Sequence, residues 1–392
     1  MDAFIYDALR TPRGKARPDG GLAAIAPHEL VKQLVDGLEV RVPGARQSTE
    51  ALLLGCVGQI GAQGGNIALI SKLHAGLPDG ASAQVINNYC VSGLSAIGQA
   101  AAFVAAGATP VAMAGGVECM SRVTFMADRA DYYTDMNFPA RTRYVPVALA
   151  ADRLAAAENI SRADLDAAAL RSNQLAGAGE GDPALIKSRI VVKDAQGAAV
   201  LARDECVRPQ TTLESLAAMQ PAFGPVADAY RAALEGEVLD HRHTIAHAPP
   251  MCDAAALALV AGRDAFDATP RARVVAWADA GGDPHVSLLA GFAAMDKALA
   301  RAKLSLKDMD RIEFMEAFGV TIVKFLRDYD VDPDKVNIAG GHMSRGHPLG
   351  ASGAILLSSL LDNLDAAKGR YGLVVTTGAS GVGSAMVVER LT

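Results

Sequence analysis

Short apolar runs alternate with longer amphipathic stretches at both ends of the chain, and the middle breaks the rhythm. In the first part, Phe4-Ile5-Tyr6 reads as a strand, 27–40 as a helix, 51–57 as a strand and 66–75 as a helix. The last part repeats the grammar: 274–277 as a strand, 292–303 as a helix, a helical start signal at Ser305 and Asp308, and 311–315 as a strand. It continues with 320–328 as a helix, 336–338 and 373–376 as strands, a turn at 378–381 and a closing strand at 385–389. From Ala81 to Val117 no side chain is charged. Asn87, Asn88, Gly93, Gln99, Gly107 and Pro110 interrupt that run, so it is no membrane span. It reads instead as the strand Gln84-Val85-Ile86, a fully buried helix, and a strand 111–114 ending before Gly115-Gly116. Residues 121–244 are more charged and poor in strand signals, with a helix opened by Ser161 and Asp164. They read as an inserted cap over whatever the two similar ends build.

Composition narrows the class. The chain has 392 residues, 51% of them hydrophobic but only 5% aromatic, so its core is built from Ala, Val, Leu and Ile, as in layered α/β proteins. A net charge of −6 with no long run of Lys or Arg argues against a nucleic-acid surface or a basic membrane anchor, and points to a small-molecule partner. Five scattered cysteines, no CxxC pair and no leader-like opening at Met1-Asp2-Ala3-Phe4 fit a reducing cytoplasm and give no zinc knuckle. His241, His243 and His247, with Cys252 and Asp253 nearby, lack the spacing of a standard metal site, so no metal is expected.

Two places carry chemistry. Cys90 lies in Asn87-Asn88-Tyr89-Cys90-Val91-Ser92-Gly93-Leu94, where a strand turns into a helix. Unpaired N–H groups and the positive end of the helix dipole favour a thiolate there. The alternative is a buried, inert cysteine. More than half the chain away, His347 lies in Gly340-Gly341-His342-Met343-Ser344-Arg345-Gly346-His347-Pro348-Leu349-Gly350-Ala351-Ser352-Gly353. Dense glycines and Pro348 hold a histidine in place there, as a base that must meet a thiol requires. Alone it reads equally as a satisfied structural histidine; beside Cys90 it reads as its base.

These segments resemble the thiolase family from end to end. Arg10-Thr11-Pro12-Arg13-Gly14-Lys15 is similar to that family's opening, and Asn88 to Leu94 to its nucleophile segment. Gly115 to Ser121, Arg208-Pro209-Gln210-Thr211-Thr212, Pro221-Ala222-Phe223, Glu316-Ala317-Phe318 and Gly346 to Gly353 match in the family's order. The resemblance implies a five-layered αβαβα fold of two related halves. An N-terminal half over 1–120 is completed by about 245–270, a loop domain spans 121–244 and a C-terminal half spans 271–392. It implies an acyltransferase active on coenzyme A thioesters, with no permanently bound cofactor, assembled as a homodimer or a dimer of dimers. Its catalytic set would be Cys90 as acyl-accepting nucleophile and His347 as base, with oxyanion N–H groups from Cys90 and the Gly381 neighbourhood. Pro249 and Phe318 fall by position where coenzyme A is held.

Two departures strike the carbon–carbon half of that chemistry. Thr377 stands where the family's second cysteine should exchange a proton with the substrate, and an aliphatic hydroxyl is a poor base unaided. Met315, before Glu316, replaces the asparagine expected to hold an oxyanion water, and a thioether donates no hydrogen bond. Substitutes within reach of sequence reasoning are His342, Glu316 and Cys119. Three readings follow: exchange of acyl-CoA and acetyl-CoA with 3-oxoacyl-CoA; an acyltransferase or thioesterase using the same acyl-cysteine without Claisen chemistry; or a non-catalytic acyl-CoA-binding scaffold.

Overall fold

The computed structural model describes residues 2–391; Met1, where the reading of the chain's opening begins, and Thr392 lie outside the described residues. The first part runs β1 (Phe4–Arg10), β2 (Gly14–Lys15), α1 (Pro27–Arg41), α2 (Ala45–Ser48), β3 (Ala51–Gly55), α3 (Ile67–His74), β4 (Ser82–Ile86), α4 (Ser92–Ala105) and β5 (Val111–Cys119). The middle supplies α5 (Val147–Ala157), α6 (Arg162–Glu180), a hairpin of β6 (Val192–Lys193) and β7 (Ala199–Leu201), α7 (Leu213–Ala217) and α8 (Gly224–Ala229). The last part runs β8 (Cys252–Ala261), β9 (Ala272–Gly281), α9 (Ala290–Ala302), β10 (Arg311–Phe314), α10 (Gly319–Asp328), α11 (His342–Arg345), α12 (Ser352–Ala367), β11 (Tyr371–Gly378) and β12 (Val382–Arg390).

The strands fall into two sets with one topology. In the first, β3 lies parallel to β5, β5 antiparallel to β8, and β8 antiparallel to β1. In the second, β10 lies parallel to β11, β11 antiparallel to β12, and β12 antiparallel to β9. A short antiparallel junction, Phe4 with Arg273 and Ile5 with Ala272, joins the sets into one ten-stranded sheet. Helix α4 packs on β3, β5 and β8 of one set and on β9 and β12 of the other, while α12 bridges the sets in the same way. With α1 and α3 outside one set and α9 outside the other, the layers run helix, sheet, helix, sheet, helix. The uncharged run from Ala81 to Val117 is thereby explained. A helix sandwiched between two sheets has no solvent face, and Leu94, Ala96, Ile97, Ala100 and Ala101 are all wholly buried. Helix α1, on the outside, keeps Leu30, Val31, Leu34, Val35 and Leu38 inward and its charges outward.

Several expectations hold. The helix start at Ser161 and Asp164 is a capping box, and so is the one at Ser305 and Asp308. Three differ. The strand expected at 336–338 contracts to a single parallel bridge between Val336 and Ile312, because Asn337 turns at φ 50° and gives its side chain to Phe314 instead. Strand β5 does not stop at Ala114 but runs through Gly115-Gly116 to Cys119. Strand β8 was not foreseen, since the Ala-rich Cys-Asp-Ala-Ala-Ala-Leu-Ala-Leu-Val-Ala has little β propensity and is held by burial between β1 and β5. The middle region is pinned to the layers by Asp204, a buried carboxylate paired with Arg10 at 2.9 Å and with Arg345 at 2.6 Å. Among the described residues no helix is long and apolar enough to cross a membrane.

Helices α4 and α12 meet head to head through glycine. A Cβ at Gly93 would stand 2.6 Å from the Gly350 carbonyl oxygen, and one at Gly353 would stand 2.8 Å from the Leu94 nitrogen. Gly93→Ala is therefore expected to cost about 1–3 kcal/mol of stability, whereas Gly80→Ala, with nothing within 4 Å of the added carbon, stays within about 0.5 kcal/mol of the parent. Urea unfolding followed through Trp277, the chain's only tryptophan, which packs against Gly98 of α4, checks both.

Candidate active site

Strand β4 ends at Ile86, and five residues, 87–91, separate it from α4. Tyr89 turns in the left-handed region at φ 47°, Ser92 Oγ receives the Asn88 N–H at 2.8 Å, and the same hydroxyl donates to the Tyr89 carbonyl. This tight knot fixes Cys90 just ahead of the helix. The backbone N–H groups of Ala379 and of Cys90 itself favour the charged form of its sulfur. The expected thiolate is nevertheless not the resting form. Burial pushes the thiol up to about 12, and the two N–H groups only partly oppose it. In this site a helix N-terminus is outweighed by desolvation, so Cys90 needs a partner to take its proton.

His347 enters the same space from the opposite half. Its backbone N–H donates to the Pro250 carbonyl at 2.8 Å, and its Nδ1 is engaged by the Ser352 hydroxyl at 2.7 Å. The ring is thus fixed by one side-chain contact and Nε2 is left for the cavity. Burial, reinforced by the Arg13 guanidinium, lowers the ring to about 3, so it is neutral at physiological pH and able to accept a proton. Cys90 and His347 line one cavity of about 270 Å³, together with Pro249, Phe318, Gly378 and Ala379.

The other sequence candidates are placed elsewhere. Thr377 is buried outside the cavity lining, and its hydroxyl donates to the Leu288 carbonyl at 3.0 Å. Met315 is part of the hydrophobic core and also lines nothing. The Glu316 carboxylate accepts from Ser172 Oγ at 2.7 Å, from the Met343 N–H at 3.1 Å and from Asn337 Nδ2 at 3.2 Å, beneath Gly341 and away from the cavity. The Gly381 carbonyl accepts from the Gly282 N–H, and it is Ala379, two residues earlier, whose N–H reaches the sulfur. His342 lies behind His347, edge to face with ring centroids 5.1 Å apart, wholly buried and with neither ring nitrogen hydrogen-bonded. Cys119 is buried, and burial raises its thiol far up.

The histidine cluster is organised by carboxylates. Asp152 takes His241 at 2.8 Å and His243 at 2.7 Å, while Asp166 takes His247 at 2.7 Å. Because the Thr244 N–H donates to His247 Nδ1, it is Nε2–H that His247 gives to Asp166.

Three participants escaped sequence reasoning. Ser352 lay inside the glycine-rich motif, but nothing in its spacing says that the chain folds it back onto a ring five residues earlier. Ala379 acts through its backbone, which no side-chain pattern reveals. Glu118 left a visible trace as the acid that ends the uncharged run. Its carboxylate accepts from the N–H groups of Val57, Gly58 and Gly350 and from Gln63, tying β3, β5 and the His347 loop to one anchor.

The comparisons with known proteins bear on the whole chain. The family described as thiolase, N-terminal domain, matches residues 3–233, and that described as thiolase, C-terminal domain, matches residues 268–390. A beta-ketoadipyl-CoA thiolase of Pseudomonas aeruginosa is 34% identical over 415 residues, covering 100% of this chain and 99% of its own. A 3-oxoadipyl-CoA/3-oxo-5,6-dehydrosuberyl-CoA thiolase of Escherichia coli K12 is 35% identical over 415 residues, covering 100% of both. Among solved structures, an acetyl-CoA acetyltransferase of Bacillus anthracis superposes with a TM-score of 0.86 at 26% identity, covering 99% of this chain and 98% of its own.

The buried rings set an acid limit. His342 is held well below its ordinary range by burial, then by Arg13 and His347, so the folded chain refuses a proton that the unfolded chain takes up below about pH 6.5. Stability is therefore present above that pH and is lost as pH falls. Relative to the parent, His342→Leu is expected to gain about 1.4 kcal/mol per pH unit below about pH 6.5. Urea unfolding of both proteins at a series of pH values measures the gap; a gap that does not widen on acidification contradicts the assignment.

Proposed function

This chain belongs to the thiolase family and is a thiolase-type acyl-CoA acyltransferase, and from that premise we propose that the acyl group rides on Cys90 after His347 has taken the thiol proton. The observation that carries the proposal is that the Cys90 thiol and the His347 ring stand on the wall of one cavity, each fixed at the approach to a different buried helix. Nε2 of His347 takes the proton, and the sulfur attacks the thioester carbonyl. The N–H groups of Ala379 and Cys90, which point at the sulfur in the resting site, receive the oxyanion of the tetrahedral intermediate. Coenzyme A leaves as a thiol with the proton His347 returns, and Pro249 and Phe318 flank its path.

The second half-reaction has two readings. The family's chemistry is exchange with 3-oxoacyl-CoA, which requires a base at the substrate α-carbon. A specific observation favours the alternative, transfer to water, an amine or a carrier thiol: the Thr377 hydroxyl is committed to the Leu288 carbonyl, and neither Thr377 nor Met315 lines the cavity. We extend the proposal to a self-associating chain, because β4 is an outer strand of the sheet and the adjoining α3 exposes Leu69, Ile70 and Leu73.

Acetyl-CoA is expected to leave an acetyl adduct on the parent chain and none on Cys90→Ala, as read by intact mass. His347→Ala is expected to slow adduct formation by about 10²–10⁴. Absence of any adduct on the parent contradicts the acyl-cysteine. Thiolysis of 3-oxoacyl-CoA separates the two acceptors, and a gain of thiolysis in Thr377→Cys identifies the lost base.

A further inference from the structure

We propose that the acyl group admitted to this site is an uncharged hydrocarbon chain, and that an acyl group ending in a carboxylate is refused. The inference rests on the acyl-transfer site described above and deepens it, naming the class of substrate rather than the chemistry. Beyond Cys90 and His347 the cavity is walled by Val57, Met120, Phe125, Val147, Phe223 and Leu349, and among its described lining residues there is no Asp, Glu, Lys or Arg. Its polar side-chain atoms are the reacting pair and the Tyr89 hydroxyl. A carboxylate carried in on the end of an acyl chain would lose its water and find no cation.

The charged groups nearest the cavity, Glu118 and Arg13, are both buried and stand outside its wall. Behind Val57 lies Glu118, whose carboxylate accepts the Val57 N–H at 2.9 Å and the N–H groups of Gly58 and Gly350, and so offers an incoming carboxylate no partner. The Arg13 guanidinium, which acts on His347, is wholly buried, does not line the cavity and lies 4.0 Å from Asp204. The relatives from Pseudomonas aeruginosa and Escherichia coli bear names for β-ketoadipyl and 3-oxoadipyl thioesters, acyl groups with just such a terminus. Overall similarity to them would pass that substrate on to this chain, and the cavity wall argues against it.

Hexanoyl-CoA and adipyl-CoA have acyl chains of the same length and differ only in a terminal methyl or carboxylate. Calorimetric titration of Cys90→Ala is expected to show hexanoyl-CoA binding at least tenfold more tightly than adipyl-CoA. The unreactive thioethers S-hexyl-CoA and S-(5-carboxypentyl)-CoA, titrated into the parent chain, repeat the comparison without any substitution. Equal affinities, or a preference for the carboxylate, overturn the proposal. Intact mass of the parent chain after exposure to each thioester reads the acyl-cysteine separately. A tenfold affinity gap with no adduct from either compound supports the inference and contradicts the acyl-cysteine, whereas adducts with equal affinities do the reverse.

Discussion

The structure turns on one carbonyl oxygen, that of Gly350, around which backbones from both halves close without side chains between them. A Cβ at Gly55, Gly93 or Gly116 would stand 2.7, 2.6 or 2.3 Å from it, well inside contact distance. The three glycines belong to β3, α4 and β5, so the oxygen is the point where a strand end, a helix head and a central strand of one half receive the loop of the other. The Gly350 N–H is held at the same time by Glu118. Only at this spacing do the approach to α4 and the approach to α12 open onto a common cavity. The density of glycine in both motifs is the trace that this requirement leaves in the sequence.

The repeat explains why the two reacting side chains come from such distant segments. β3, β5, β8 and β1 in one half correspond to β10, β11, β12 and β9 in the other. Strand β4, parallel to β3, has its counterpart in the lone bridge of Val336 to Ile312. Each half then leads from that position into a buried helix, through Cys90 in the first and His347 in the second. The two residues occupy related places in two units of one topology and line one cavity because their helices share the middle layer.

Much of this was legible. The alternation of short strands and helices, the uncharged buried helix and the capping boxes all follow from patterns whose cause is local, and the two motifs holding Cys90 and His347 do line one cavity. What escaped was non-local. β8 is a strand because of its neighbours and not its own residues. The segment at 336–338 failed as a strand because Asn337 found a better use for its amide. The state of Cys90 was misjudged for the same reason: a helix N-terminus is visible in sequence, whereas the burial that overrides it depends on which distant residues close over the sulfur.

Burial also unites the reacting pair. The same exclusion of water that raises the Cys90 thiol lowers the His347 ring, so both are neutral at rest. Forming the thiolate and imidazolium together costs more here than in water. In the proposed mechanism, that cost is offset when a thioester carbonyl receives the sulfur and N–H groups receive the new negative charge. Thr377 stands outside this cavity, with its hydroxyl donating a hydrogen bond to the Leu288 carbonyl.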